Sequence, residues 1–335
     1  MKKYLVRSVR LSSVILTASI TFTSLFASAS TDGIQPTDND ITELSMIANA
    51  VVPSGKFKGS PLNTAVRRPL YVLSAPHGDS DRLTQILERQ TVTVGNYFHN
   101  GKFYVAELPT GKIASAIVLE APFSAVAAHT MIRYEMEADA FVELVAVIEH
   151  RPGKQVRIVP LDKPILQKGI VMSIDGTEPL GQAGWNMKSA IAGHYTEAYR
   201  MVSVPERIGW FVMTGTPIHQ IRLNLSADEA QQTLRLQIKE SHKRGFLTMY
   251  DLLRSNCTNE AIRIIKNANP YRQRDPEIFP PTLQILRSHL NKVLQPLEPF
   301  TQFTKFNLRT LGWVDQKLID LQTRVVLPLK DLKEV

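Results

Sequence analysis

The sequence predicts an α+β protein, an antiparallel sheet with packed helices and a helical C-terminal region behind it. Three observations carry this expectation. From about residue 66 to 177, short apolar runs with strand alternation are separated by Gly, Pro and charged residues. At Ser226 the period changes to helical. Over residues 283 to 325 the helical period persists, with Leu311, Val314, Leu318, Leu321 and Val325 at 3-4 spacing.

Taken in order, residues 1–29 read as a signal peptide. Lys2, Lys3, Arg7 and Arg10 form a basic start, Leu11 to Phe26 an apolar stretch, and Ala27-Ser28-Ala29 a small-residue cleavage pattern. A retained single-span anchor is the alternative, but the stretch is short and rich in Ser and Thr. No cysteine sits at the junction, so a lipoprotein signal is not expected. The pattern is of bacterial type, and the expected location is periplasmic or secreted. Residues 30–65 are polar and punctuated by Pro and Gly, a leader or linker with one short helical pattern near Ile41 to Val51.

Residues 66–115 form an N-terminal β-rich extension. "RPLYVLSAP" reads as a strand, and "DSDRLTQILERQ" as a helix capped by Asp79 or Ser80. "TVTVGNYFHNGKFYVAEL" reads as a hairpin about a His-Asn-Gly turn. Residues 116–275 then hold strands at "ASAIVLEAP", "HTMIRYEME", "AFVELVAVIEH", "QVRIVPL", "GIVMSIDG" and "HQIRLNLS". Ser226 to Glu229 is a capping box opening a helix to about Lys243. "SNCTNEAIRII" opens a second helix, closed by Asn267 and Pro270. Residues 276–335 are the helical C-terminal region.

The chain has 335 residues, 39 basic and 31 acidic. Without the signal-peptide bases, 35 face 31, a net of +4. So mild an excess gives no reason to expect nucleic acid as a partner. At 44% hydrophobic the chain can bury a sizeable core. No later apolar run reaches spanning length.

The single cysteine, Cys257, rules out an internal disulfide and is unusual for an exported protein. It would serve as a buried apolar group, an intermolecular bridge or a nucleophile. With Ser255 or Asn256 as N-cap, Cys257 falls in the first helical turn. Free amides and the helix dipole favour an anion there, lower the thiol pKa and offer donors to an oxyanion. Asn-Cys-Thr is formally a glycosylation acceptor, set aside because the signal is bacterial and the Asn a cap. One Cys and eight scattered His supply no spaced ligand set, so no metal or other cofactor is expected.

A thiol nucleophile needs a base that also protonates the leaving group. His77 and His99 lie in turns, His242 at a helix end, His289 on a helix and His150 at a strand end. His129 opens a strand after the small residues of "FSAVAAHTMIRYEM", which leave room beside the ring.

"AAHTMIRYEM" is similar to the Gly-His-Thr-hydrophobic-hydrophobic-Arg motif of the Lnb-type N-terminal periplasmic domain family, with Ala128 in place of the usual Gly. "AGHYTEAYR", "IRLNLSADEA" and "YDLLRSNCTNEAIRII" follow in that family's order and spacing. The resemblance covers about residues 115 to 270. It implies a circularly permuted papain-like fold, shared with lecithin:retinol acyltransferase-like enzymes, in which the His strand precedes the Cys helix. It implies Cys257 as nucleophile, forming an acyl-thioester, and His129 as base. Tyr195, Tyr199 and Arg200 match that family's aromatic block, which implies an acyl groove lined by them, with ordinary packing as the alternative. Asn256, beside the sulfur, is a further candidate for substrate binding. The group orienting the imidazole is sought on the following strand, at Glu143, Glu149 or His150, with Glu143 and Glu149 sharing a face.

The function expected is an exported Cys/His acyltransferase or hydrolase acting on a lipid or lipoprotein substrate at the cell envelope. A cell-wall amidase or peptidase is the alternative. Characterised members of the family can carry a membrane span after the periplasmic domain. No such run is seen here, which adds weight to hydrolysis or a distinct acceptor. A non-catalytic envelope-binding module is a third reading. Its support is the apolar stripe and basic flanks of "FTQFTKFNLRTLGWVDQKLIDLQTRVVLPLK", which would also suit peripheral membrane contact.

Overall fold

The computed structural model describes residues 36–122, 128–182, 184–252 and 255–270. The expected signal peptide and the C-terminal helical region, with its membrane contact, lie outside the described residues. Among the described residues no helix is long and apolar enough to cross a membrane.

Helix α1 (Asp38–Ala48) opens on a capping box between Thr37 and Asp40. Strand β1 (Tyr71–Val72) is short, and α2 (Ser80–Leu87) is capped by the Asp79 side chain. Strands β2 (Val92–His99) and β3 (Lys102–Leu108) form the expected hairpin. Its two turn residues, Asn100 and Gly101, have φ of 45° and 71°, the left-handed pair that Asn-Gly supplies at low cost. A short 3₁₀ turn leads into β4 (Ile113–Pro122), and β5 (Ala128–Met136) and β6 (Val142–Glu149) follow. Strand β7 (Arg157–Gln167) contains Pro160 and Pro164 and lies at a sheet edge, where a missing amide is tolerated. Then come β8 (Ile170–Thr177), α3 (Met187–Ile191), β9 (Thr196–Ser203), α4 (Val204–Met213), β10 (His219–Arg222), α5 (Ala227–Arg244) and α6 (Cys257–Ala268).

The fold is α+β around one 10-stranded sheet, ordered β10-β4-β5-β8-β9-β2-β3-β6-β7, with β1 paired to β2. The sheet is mixed, where an antiparallel one was expected. Two antiparallel sets, one running from β10 to β9 and one from β2 to β7, meet at a parallel seam, Phe98 against Val202. Alternation along each strand sends odd and even residues to two cores. On one face Val118, Ile132, Tyr134 and Met172 pack against α2, α5 and α6. On the other, Leu119, Met131, Val171 and Val202 pack against α1 and α4.

Two boundaries differ from expectation. From Pro36 on, the stretch expected as a linker belongs to the folded unit. Leu44, Ile47, Val52 and Leu62 are buried, and Asn63 N–H bonds Glu178 O at 2.9 Å. Likewise β2 and β3, expected in an extension, lie in the interior of the same sheet as β5 and β8.

Candidate active site

Cys257 is the first residue of α6, at 4% exposure. The helix forms there because Asn256, its N-cap, accepts from the amides of Thr258 and Asn259 at 2.9 and 3.0 Å. Asp251 and Ser255 exchange backbone hydrogen bonds, and Asn256 Nδ2 donates to Leu252 O at 2.8 Å. Ala261, Ile262 and Ile265 bury one side of the helix against the sheet, each isoleucine worth about 2 kcal/mol. The sulfur is thereby held on a rigid element.

The helix start is locked to β5. The hydroxyls of Thr130 and Thr258 share a hydrogen bond of 2.7 Å, and the Thr130 amide donates to Cys257 Sγ at 3.5 Å. Thr130 faces α6, so its neighbour His129 projects to the other face. The ring lies on the same cavity as the sulfur and within hydrogen-bonding reach of it. The structure thus brings together the two residues singled out from the sequence. Ala128 is buried and has no positive φ, so the missing glycine costs no backbone strain here.

The imidazole partners are Asp175 and, on α4, Arg207, whose Nη2 lies 2.5 Å from His129 Nε2; neither is a residue of β6. His129 Nε2 lies 3.0 Å from Asp175 Oδ1. The register explains it: Met131 pairs with Ser173, so two residues further His129 stands opposite Asp175. Glu143, Glu149 and His150 are corrected by the topology. The sheet neighbours of β5 are β4 and β8, whereas β6 pairs with β3 and β7, across the sheet. There Glu143 pairs with Glu107 and Leu166, Glu149 is exposed and His150 Nε2 bonds Asn49.

Alternation along β9 separates the other expected residues. Tyr199 points to the α6 face, and Tyr195, just before the strand, packs with Ala190 and Tyr250, so neither is on the cavity wall. The Tyr195 hydroxyl accepts from Asn186 N–H at 2.8 Å, and the Tyr199 hydroxyl donates to Glu260 on α6. Arg200 takes the opposite face and donates to Asp175 Oδ2 at 3.0 Å. Asn256 acts as the cap rather than as a wall.

The residues that sequence reasoning missed are Asp175, Tyr250, Arg67 and Arg207. Asp175 carried a signal, an acid inside the otherwise apolar "GIVMSIDG". Arg207 lies on α4, a helix whose start was legible as Ser203-Val-Pro-Glu206, and Ser203 does accept from the Glu206 amide. Tyr250 Oη donates to Cys257 Sγ at 3.9 Å and takes a hydrogen bond from the Cys257 amide. The amides expected to be free for an oxyanion are therefore engaged at rest, two by Asn256 and one by Tyr250.

Electrostatics favours a charged pair. Burial alone would raise the Cys257 thiol, but His129, the Thr130 amide and the Tyr250 hydroxyl outweigh it and set its pKa below the usual value. Burial alone would lower His129, but the Cys257 thiolate and the Asp175 carboxylate outweigh it and set its pKa above the usual value. Asp175 is held well below the carboxylate range. Its burial is overcome by Arg207, His129 and Arg200. Sulfur and ring lie at a cavity of about 450 Å³, within the size range of small-molecule sites. Ala121, Ile174, Phe98, Val202, Trp210 and Phe211 give it largely apolar walls.

Comparison of the chain with protein-family models, with characterised proteins and with solved structures finds no match in any of the three.

Proposed function

We propose that this protein is a thiol enzyme that transfers or hydrolyses an acyl group through a thioester on Cys257, with a permuted papain-like arrangement of His strand and Cys helix. The observation that carries the reading is the contact of His129 with Cys257 at an apolar cavity. Isolated buried cysteines pack; they do not sit against a histidine whose far nitrogen meets a buried carboxylate.

With Nε2 occupied by Asp175 and Arg207, Nδ1 is the nitrogen left for the sulfur. His129 takes the thiol proton there. The thiolate attacks the acyl carbonyl carbon, forming the C–S bond, and negative charge develops on the carbonyl oxygen. The Tyr250 hydroxyl and the Cys257 amide, which bond each other at rest, are the donors placed to turn to that oxygen. The intermediate collapses, the bond to the leaving group breaks, and the imidazolium returns its proton to that group. A water or amine then loses its proton to His129 and attacks the thioester, freeing Cys257. The apolar walls favour an acyl chain over a peptide, which matches the resemblance to a family implicated in moving acyl chains on bacterial lipoproteins. The expected substrate is a lipid or lipoprotein at the envelope.

The test is intact mass after incubation with a diacylated lipopeptide or a phospholipid. A hydroxylamine-labile acyl mass on Cys257, absent from Cys257→Ser and His129→Ala, is the expected result. No adduct with any acyl donor, on a folded protein, overturns the reading.

A further inference from the structure

Asp175 is surrounded by more positive charge than it can balance. Arg200 Nη1 lies at 3.0 Å, Arg207 Nη2 at 3.3 Å and Arg67 Nε at 3.9 Å, besides His129. Orienting one imidazole needs one carboxylate, and holding one carboxylate needs one guanidinium. Of the other acids nearby, Glu178 pairs with Arg67 at 2.6 Å and Glu206 accepts from the Gly101 amide at 3.3 Å. Neither is bonded to Arg200 or Arg207. The Arg200 side chain is 7% exposed, and its buried Nε has no hydrogen-bond partner. Among the described residues with an unpaired buried guanidinium nitrogen, Arg200 is the one on the cavity wall.

The guanidiniums are also fixed in place. Arg200 stacks over the Phe98 ring at 5.2 Å and Arg207 over the Phe211 ring at 5.3 Å. A pair of planar forks on aromatic faces is an arrangement for a two-oxygen anion, and lysine would serve it poorly. The same cavity is lined by Cys257, by these arginines and by largely apolar side chains.

We infer that this cavity is an anion subsite: Arg200, Arg207 and Arg67 bind a phosphate or carboxylate group on the substrate, beside the acyl bond that Cys257 attacks. The substrate is therefore an anionic amphiphile, its charge at the arginines and its chain against Phe98, Val202 and Trp210. This rests on the cavity being the substrate site of the proposed thiol enzyme, but its test does not require turnover.

Titration calorimetry of the full-length Cys257→Ser protein with octyl phosphate, octanoate, octanol and inorganic phosphate separates the possibilities. Octyl phosphate and octanoate are expected to bind at least tenfold more tightly than octanol. Arg200→Gln and Arg67→Gln should each weaken octyl phosphate at least tenfold and leave octanol within twofold. Arg67 is the more exposed and keeps the test open if Arg200→Gln does not fold. Octyl phosphate binding above inorganic phosphate makes a lipid-borne group the source, and equal binding makes it a free anion; either keeps the anion subsite. Equal affinity for octanol and octyl phosphate, or full octyl phosphate affinity in folded Arg67→Gln, overturns it. A protein that passes this test yet forms no thioester retains the subsite and loses the enzymatic reading.

Discussion

At the scale of single residues, the pair was legible and its support was not. Cys257 announced itself by being alone and by following an N-cap, and His129 by opening a strand after small residues. Asp175 lies 46 residues beyond His129, and only the β5–β8 register joins them. Searching the next strand, at Glu143 and Glu149, assumed that strands consecutive in sequence are neighbours. Here a long excursion through β6 and β7 intervenes before the chain returns beside β5. Two residue-level outcomes follow. Asp175 holds a proton on the imidazole, so Asp175→Asn should lower the His129 pKa, read by NMR titration of the ring. An unchanged value would remove Asp175 from the site. On the proposed mechanism Tyr250→Phe removes one donor to the oxyanion, and thioester formation should slow by about 10²-fold with folding intact. A rate within twofold of wild type would show that the hydroxyl has no such part.

Elements were read best where they carry their own punctuation. The capping box of α5, the Asn-Gly turn and the Asn256 cap are local chemistry, visible in four residues, whereas the Thr37 capping box of α1 was missed and its helix placed three residues late. Helix α4 was passed over although Ser203 and Glu206 have capping-box spacing, and with it went Arg207. The side-chain carbonyl of Asn256 anchors two amides next to the sulfur. Asn256→Ala should destabilise the protein by about 1 kcal/mol in urea unfolding, and Asn256→Asp, which keeps the capping oxygen but loses the Nδ2 donation to Leu252, should lose less. Equal destabilisation by both would mean that the cap is not what holds the helix start.

For the whole molecule, pairing across long sequence distances sets what could be foreseen. Nothing in "VTVGNYFH" or "TEAYRMVS" says that they join in parallel, and that seam turns two antiparallel sets into one sheet. The stability of the assembled fold should also depend on pH through Glu197. This buried acid on β9 accepts from Ser255 Oγ at 2.9 Å and from Arg244 at 3.4 Å. Burial first, and Glu260 second, push it up to about 7. Its folded pKa lies above its unfolded one, so it binds its proton more tightly when folded. Stability should therefore fall as pH rises from about 4.5 to about 7 and level off beyond. Glu197→Gln should flatten that part of the curve, by about 3 kcal/mol at most; an unaltered slope would contradict it. The cavity draws its walls from Val66 through Cys257, so its chemistry belongs to the complete fold. The central claim, a Cys257 thiolate held by His129, is tested most directly by the pH profile of iodoacetamide alkylation. The wild-type rate should rise with an inflection below the ordinary thiol value of about 8.5, and His129→Ala should move that inflection upward. An inflection at the ordinary value, or one that His129→Ala leaves in place, would contradict the account.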